Sequence, residues 1–444
     1  MTRTSPCPPP QDRAFGLEFY ATSTPGVVGR TKSSPDAFRV TEISNYPLPD
    51  PSGAYSVLRI QSRDWEQHEL GQAIARRLGL PVASVQWAGT KDRRAVAERL
   101  VSYRGPLPGG ELGLPRVSVL EAYTARDGLV LGHHFGNAFE IRVDGLSIPA
   151  ASALDAFRAT ERELRDLGHW PNFFGPQRFG EVRPVTHEVG RHLVRGDIAA
   201  AVETYLVARP PGTADGVGDE ARANYARTHD AATALREFPT HYRFERALLE
   251  RLEKGDPPER AFRALGRELR LLFVHAYQAL LFNRWLSRRW AAGVPLDQPV
   301  PGDRLLRIGR DGTVRSQEGI PVGSDNLSEC TELVRRGGAW VAGPLLGYET
   351  PGIEGTAGEL LENLLQEEQI ERGMFRVPAA PEVASKGAWR PAVLPVPPIG
   401  LSATEAGVWF RFALPKGAYA TVLLREFLKS GSDGPEDSAS KGGY

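Results

Sequence analysis

The chain has 444 residues, a formal charge of zero, 41% hydrophobic residues and 24% charged ones. That length exceeds one ordinary core and predicts two domains of a soluble globular protein. A neutral balance argues against a general polyanion-binding surface, but the cations are skewed to 47 Arg against 7 Lys, and Arg is the better bidentate phosphate ligand. Basic residues concentrate in 81–104 and 256–291, a pattern suited to local faces for a defined RNA. Cys7 and Cys330 stand far apart, which excludes a disulfide scaffold and a cysteine zinc site and points to a reducing compartment. No stretch approaches the roughly 18 apolar residues of a membrane span. Met1–Pro10 lacks the apolar region of a signal peptide. A cytoplasmic protein, monomeric by default, is expected.

Residues 1–14 read as a polar, Pro-rich tail. Asp36–Ile43 alternates Phe38 and Val40 with polar neighbours, a strand pattern, and Tyr55–Ile60 is a second strand. Trp65–Leu78 spaces Leu70, Ile74 and Leu78 as one helical face, ended by Gly79. Then comes Val85–Ala95, an apolar run stopped at Gly89, with Asp92 set among Lys91, Arg93 and Arg94. A lone carboxylate there is favoured in its charged form, and the same cations suit RNA phosphates. Taken alone, the stretch reads more readily as a turn with a solvated salt bridge. Arg99–Tyr103 is strand or short helix, and Arg116–Ala122 is a strand. Asn137–Val143 alternates most cleanly, with Asn137, Phe139, Ile141 and Val143 on one face. Core packing accounts for such a Phe, whereas an amide on that face needs partners.

Ala151–Leu167 is helical and leads into Trp170–Gly180, where Gly and Pro fix turns and four aromatics offer π-faces to nucleobases. A packed hinge between domains is the other reading. Helical periodicity dominates 186–290. The run from Glu259 reads as one long amphipathic helix with Arg260, Arg263, Arg267 and Arg270 at helical spacing, either a solvated face or a grip on RNA backbone. Residues 295–325 and 343–357 read as loops with short strands, and Ala357–Glu371 as a helix. Strand grammar returns at 392–398 and Gly407–Leu414, before a turn and a short helix ending at Leu428. Lys416 and Gly417 at that helix start would suit an anion. Residues 431–444 read as a disordered tail. The β-rich ends and helix-rich middle predict an α+β protein whose terminal regions build one domain around an inserted second one.

Together these segments resemble the TruD family of tRNA pseudouridine synthases. The resemblance rests on Gly89-Thr-Lys-Asp-Arg-Arg-Ala-Val96, Asn137-Ala-Phe139, Pro171–Gly180, Tyr277–Asn283 and Leu414–Thr421, five motifs in the family order. Where the family usually continues Thr-x-Gln, this chain has Ala97-Glu98-Arg99. The resemblance implies a pseudouridine-synthase catalytic domain with a mixed, largely antiparallel sheet, from 15–170 and 386–430, interrupted by a TRUD domain at 171–385. It implies Asp92 as catalytic group, Phe139 stacking on the target base and Asn137 supporting the loop. Lys91, Arg93, Arg94, Phe174, Gln177, Arg178, Phe179 and Lys416 are further candidates for the RNA, with Lys91 the expected direct partner of Asp92. The expected substrate is tRNA, at uridine 13 of the D-arm. The isomerisation gains and loses no atom, and the chain shows no Gly-Lys-Ser/Thr phosphate loop and no Cys/His cluster, so no cofactor and no metal are expected. An Asp carboxylate could attack C1′ or remove a proton from C2′. A non-catalytic RNA binder and a glycoside hydrolase are the rival readings, the latter weakened by the single prominent acid.

Overall fold

The structure, a computed structural model, describes residues 6–429 except 181, 211–216, 310–312 and 317; the expected tail at 431–444 lies outside them. In chain order the N-terminal region supplies α1 (Pro10–Ala14), β1 (Phe38–Ile43), β2 (Tyr55–Arg63), α2 (Gln67–Leu78), β3 (Val96–Arg104), β4 (Val117–Ala125), β5 (Gly136–Val143), α3 (Ala150–Leu167) and β6 (His169–Pro171). The middle adds α4 (Thr186–Val194), α5 (Ile198–Val207), α6 (Val217–Thr228), α7 (Ala231–Glu237), α8 (Arg243–Glu253), α9 (Pro258–Phe262) and α10 (Arg267–Ala291). Then follow β7 (Arg304–Arg307), β8 (Ile320–Pro321), α11 (Leu327–Arg335), β9 (Ala339–Leu345), α12 (Gly355–Glu367), β10 (Ala388–Pro391), β11 (Val393–Pro395), β12 (Gly400–Thr404), β13 (Gly407–Pro415) and α13 (Ala420–Leu428).

Both ends of the chain build one seven-stranded sheet, ordered β12-β13-β5-β1-β3-β2-β4. β1 and β3 pair in parallel, and the other neighbours are antiparallel. The expected mixed α+β architecture is thus present, and Arg99–Tyr103 is strand. Strand alternation puts Leu58, Ile60 and Val101 on the same face as Phe38, Val40, Phe410 and Phe412. At one end of that face Leu70 and Ile74 of α2 pack on Leu58, Ile60 and Val101. At the other, Phe157 of α3 and Phe427 of α13 meet Phe410, with ring centroids 5.0 and 5.1 Å away. Burying this apolar surface is what holds the helices down. Between them the middle of the sheet is left to a loop.

Several expectations change. The N-terminal tail is ordered from Pro10, because Asp12 is buried against Arg425 of α13, which also donates to the carbonyls of Leu17 and Phe19 at 3.0 and 2.7 Å. The Pro/Gly-rich stretch hides a second sheet, β10-β9-β7-β8. β10 belongs to it, so the chain returns toward the first sheet at β11, later than residue 386; β11 pairs antiparallel with β6 where the chain departs. The helix expected from Glu259 breaks before Gly266, which caps α10. The arginine stripe breaks with it. Arg260 turns to Asp256 at 3.3 Å, while Arg270 is buried, pairing with Glu382 and donating to Leu265 O at 3.0 Å. Among the described residues no helix is long and apolar enough to cross a membrane.

Candidate active site

Two rows of side chains cross the middle of the sheet, and of these only Phe139 and Asn137 are not fully buried. In the first, Phe412, Phe139 and Val40 are direct cross-strand partners, and Val40 pairs with Ala97. In the second, Leu414, Asn137 and Glu42 are partners, and Arg99 follows Ala97 on the same face of β3. Phe139 is half-buried, its ring 5.6 Å from Phe412 and 6.1 Å from Phe38. Phe139 therefore packs against the core on one side and keeps part of its surface open. Asn137 Oδ1 is buried with no hydrogen-bond partner, as is the facing Glu42 Oε1, and such atoms are rare in folded proteins.

The loop between α2 and β3 lies over the second row. Gly89 lets the loop approach closely: a Cβ there would stand 3.0 Å from His134 Cε1 and 3.3 Å from Lys91 Nζ, and the neighbours would have to give. Lys91 turns inward and donates to Glu42 Oε2 at 2.9 Å, with both side chains 2% exposed or less. Burial draws the Lys91 pKa down, opposed by the attraction of Glu42. Lys91 is thus not the direct partner of Asp92, because its ammonium is spent on a buried acid. The partner is Lys32, whose Nζ lies 3.3 Å from Asp92 Oδ1 and 5.1 Å from the centre of the Phe38 ring. Phe38 touches Phe139, so Lys32 spans the space between the carboxylate and the aromatic row. The Asp92 side chain itself is 39% exposed. Arg94 reaches back to Ser33 O at 2.9 Å, and Arg93 points to solvent.

Gln67, in the first turn of α2, ties the loop from behind. Its Oε1 accepts from the Lys91 backbone N–H at 3.2 Å and from Arg99 at 2.7 Å. Arg99 is buried and its pKa is lowered by that burial to about 10, with Glu42 and Glu66 acting the other way; it is still a cation at neutral pH. His134 completes the surround. Burial, then Lys91, holds its pKa below the ordinary imidazole range, and its Nδ1 is buried without a partner. Lys416 sits beside it but is not at a helix start: α13 begins at Ala420, and the Lys416 ammonium donates to Gly132 O at 2.8 Å.

The Pro171–Gly180 segment divides. Phe179 is fully buried, stacked on Phe15 with centroids 4.7 Å apart, so its ring is core and has no face for a base. Phe174 is 9% exposed, edge-on to Phe282 and Tyr419, with Arg390 over its ring at 4.0 Å. Gln177 Oε1 accepts from the Thr421 hydroxyl at 3.1 Å. Arg178 lies on the other approach to the Phe174 ring, at 6.0 Å. Arg390 joins this segment to the 415–419 turn, donating to Asn172 O at 3.0 Å, Asn172 Oδ1 at 2.6 Å, Phe173 O at 3.4 Å and Gly417 O at 2.9 Å.

Sequence reasoning overlooked Lys32, Glu42, Gln67, His134 and Arg390, and marked Arg99 only as a departure from the family pattern. Glu42 carried a signal, since it continues the inward Phe38–Val40 alternation and an acid there must be buried. Lys32 is one of seven lysines in an arginine-rich chain, but nothing local joins it to Asp92. The pairing is made by the fold.

The chain matches the family model described as tRNA pseudouridine synthase D (TruD) over residues 14–427. A relative from Thermococcus onnurineus bearing that family's name is 36% identical over 426 residues, covering 94% of this chain and 99% of its own. One from Halobacterium salinarum is 36% identical over 438 residues, covering 95% and 98%. The crystal structure of a TruD protein from Methanosarcina mazei superposes with a TM-score of 0.78 at 31% identity, covering 95% of this chain and 98% of that one.

Proposed function

The chain belongs to the tRNA pseudouridine synthase D (TruD) family, and from that premise we propose that it isomerises uridine to pseudouridine in tRNA, at uridine 13, through the Asp92 carboxylate. The reaction breaks the C1′–N1 bond, turns the uracil and joins C1′ to C5, and the C5 proton is exchanged for one on N1, so atoms balance without a co-reactant. Asp92 acts at the ribose, as nucleophile at C1′ or as base at C2′. Lys32 holds the carboxylate from one side while the Lys91–Glu42 pair and Gln67 set the loop that carries it. An extruded uridine needs an aromatic platform, since leaving the stack costs a few kcal/mol; the open part of Phe139 supplies it. The buried, unpartnered Asn137 Oδ1 and His134 Nδ1 are suited to hold the freed uracil through its N–H groups. Arg93, Arg94 and Lys416 face the RNA backbone at the rim.

The observation that carries this reading is Asp92 itself, an accessible carboxylate on a loop anchored by a buried ion pair beside a half-open phenylalanine. The test is Asp92→Asn assayed on unmodified tRNA by nucleoside digestion and chromatographic retention, because product and substrate have equal mass. Turnover should fall at least a thousandfold, about 4 kcal/mol in transition-state stabilisation, with tRNA affinity within a few-fold of the parent. Pseudouridine formation at the parental rate would remove Asp92 from the mechanism.

A further inference from the structure

Among the described residues, Arg178 and Arg390 form a pair of guanidiniums with no carboxylate partner. Both lie against the Phe174 ring, 6.0 and 4.0 Å from its centre. Arg390 is 8% exposed, and the oxygens it reaches, on Asn172, Phe173 and Gly417, are all neutral. Among the described residues Arg178 donates no side-chain hydrogen bond, its Nε is buried without a partner, and no carboxylate pairs with either group. Burial lowers the pKa of both, that of Arg390 to about 10, with Arg178 adding to the effect on Arg390 and Tyr419 opposing it. At neutral pH both are cations. His275, which faces Arg178 from α10, is held neutral there, its pKa lowered to about 4 by burial and then by Arg178, so it supplies no balancing charge.

Four of the other five buried arginines among the described residues each hold a carboxylate, and the fifth, Arg99, donates to Gln67 within the field of Glu42 and Glu66. Arg289 holds Asp303 at 2.6 Å, Arg222 holds Glu245 at 2.8 Å, Arg270 holds Glu382 and Arg425 holds Asp12. Two like charges withdrawn from water without an anion destabilise a fold, and a guanidinium cannot escape by losing its proton. The arrangement is explained if the missing anion arrives with the ligand. Arg178 is partly exposed and so can be reached from solvent. The site adjoins the candidate active site through Arg390: Gly417 takes a hydrogen bond from it, and the neighbouring Lys416 is anchored to Gly132 O and Phe135 O, each at 2.8 Å, just ahead of Asn137.

Resting on the RNA reading above, we propose that Arg178, oriented by the Phe174 ring and backed by Arg390, binds a backbone phosphate of the RNA beside the target nucleotide. The planar guanidinium fork matches a phosphodiester's two free oxygens. Arg390, held rigid by its carbonyl partners, adds charge from behind without touching the RNA.

The proposal requires stability and affinity to move in opposite directions. Arg178→Met should raise the Tm of the free protein, weaken binding of unmodified tRNA about tenfold at moderate salt and lower the slope of log Kd against log salt by about one. The activity loss should fall mainly on KM. Inorganic phosphate, compared with chloride at equal ionic strength, should raise the Tm of the parent and not of the variant. Arg178→Lys, which keeps the charge and loses the fork, should retain the parental salt slope while binding more weakly than the parent. A lower Tm for Arg178→Met with an unchanged salt slope would overturn the phosphate site and make Arg178 a structural residue. Failure of the parent protein to form pseudouridine would count against the reading of Asp92 instead, since the salt slope is measured on binding alone.

Discussion

Two clusters of buried charge flank the candidate site, and they are completed in different ways. Around the loop, Lys91 pairs with Glu42 and Lys32 with Asp92, and Arg99 donates to Gln67 within the field of Glu42. Around Phe174, Arg178 and Arg390 have each other and a set of neutral oxygens. Charge paired inside the protein fixes a geometry before substrate arrives, and preorganisation of this kind is where most electrostatic catalysis originates. Charge left unpaired gives up stability in the free protein and recovers it on binding. On the roles proposed above, the first cluster would position the Asp92 carboxylate and the second would hold a ligand.

That contrast can be broken most severely at Glu42. Glu42→Gln leaves the Lys91 ammonium buried with no anion and should cost about 3–5 kcal/mol, read as a lower urea midpoint at unchanged m. Stability equal to the parent would mean that the ion pair does not anchor the loop. A smaller effect is expected at Gln67, which touches no charge of Asp92 but holds the backbone next to it. Gln67→Ala should slow single-turnover pseudouridine formation about tenfold, about 1.4 kcal/mol, with tRNA affinity unmoved. Gln67→Glu keeps an acceptor oxygen for the Lys91 N–H and for Arg99 and should recover most of the rate; equal loss in both variants would reduce Gln67 to a packing residue.

A pH measurement sharpens the second cluster. His275, at about 4 in the fold against an ordinary 6.5, refuses a proton that the unfolded chain accepts. Its contribution to stability is complete above about pH 6.5 and is lost as pH falls from there toward 4. Replacement by Gln should flatten the stability profile across that window, followed by chemical denaturation at intervals of half a pH unit. Because Arg178 helps to depress this imidazole, Arg178→Met should narrow the same window from its acid end. A profile that His275→Gln leaves unchanged would show that the imidazole is not held neutral in the fold.

Much of the fold was legible from one dimension. Alternation at Phe38–Val40 and at Asn137–Val143 marked central strands, and the fourfold spacing of Leu70, Ile74 and Leu78 marked α2, because periodicity reports which face is buried. Gly89 and Asp92 gained meaning only from the other motifs in the family order, because alone their stretch reads as a turn with a solvated salt bridge. The second sheet escaped notice since strands of two to seven residues rich in Pro and Gly carry almost no periodicity. Phe179 was misread beside Phe174 for a related reason: adjacent aromatics in a turn point in directions that only packing assigns, one onto Phe15 and one toward Arg390.

What the sequence by itself determined was the larger local elements, which follow from residue type and spacing, while Asp92 was singled out as the proposed reacting acid by the family motif that carries it. What tertiary structure alone decided was partnership. Lys32 lies 60 positions before Asp92, Glu42 lies 49 before Lys91, and Arg390 lies 218 after Asn172. No local pattern encodes such distances, because a charge selects its partner by the space that burial leaves open to it. The same principle left Arg178 and Arg390 without a carboxylate among the described residues.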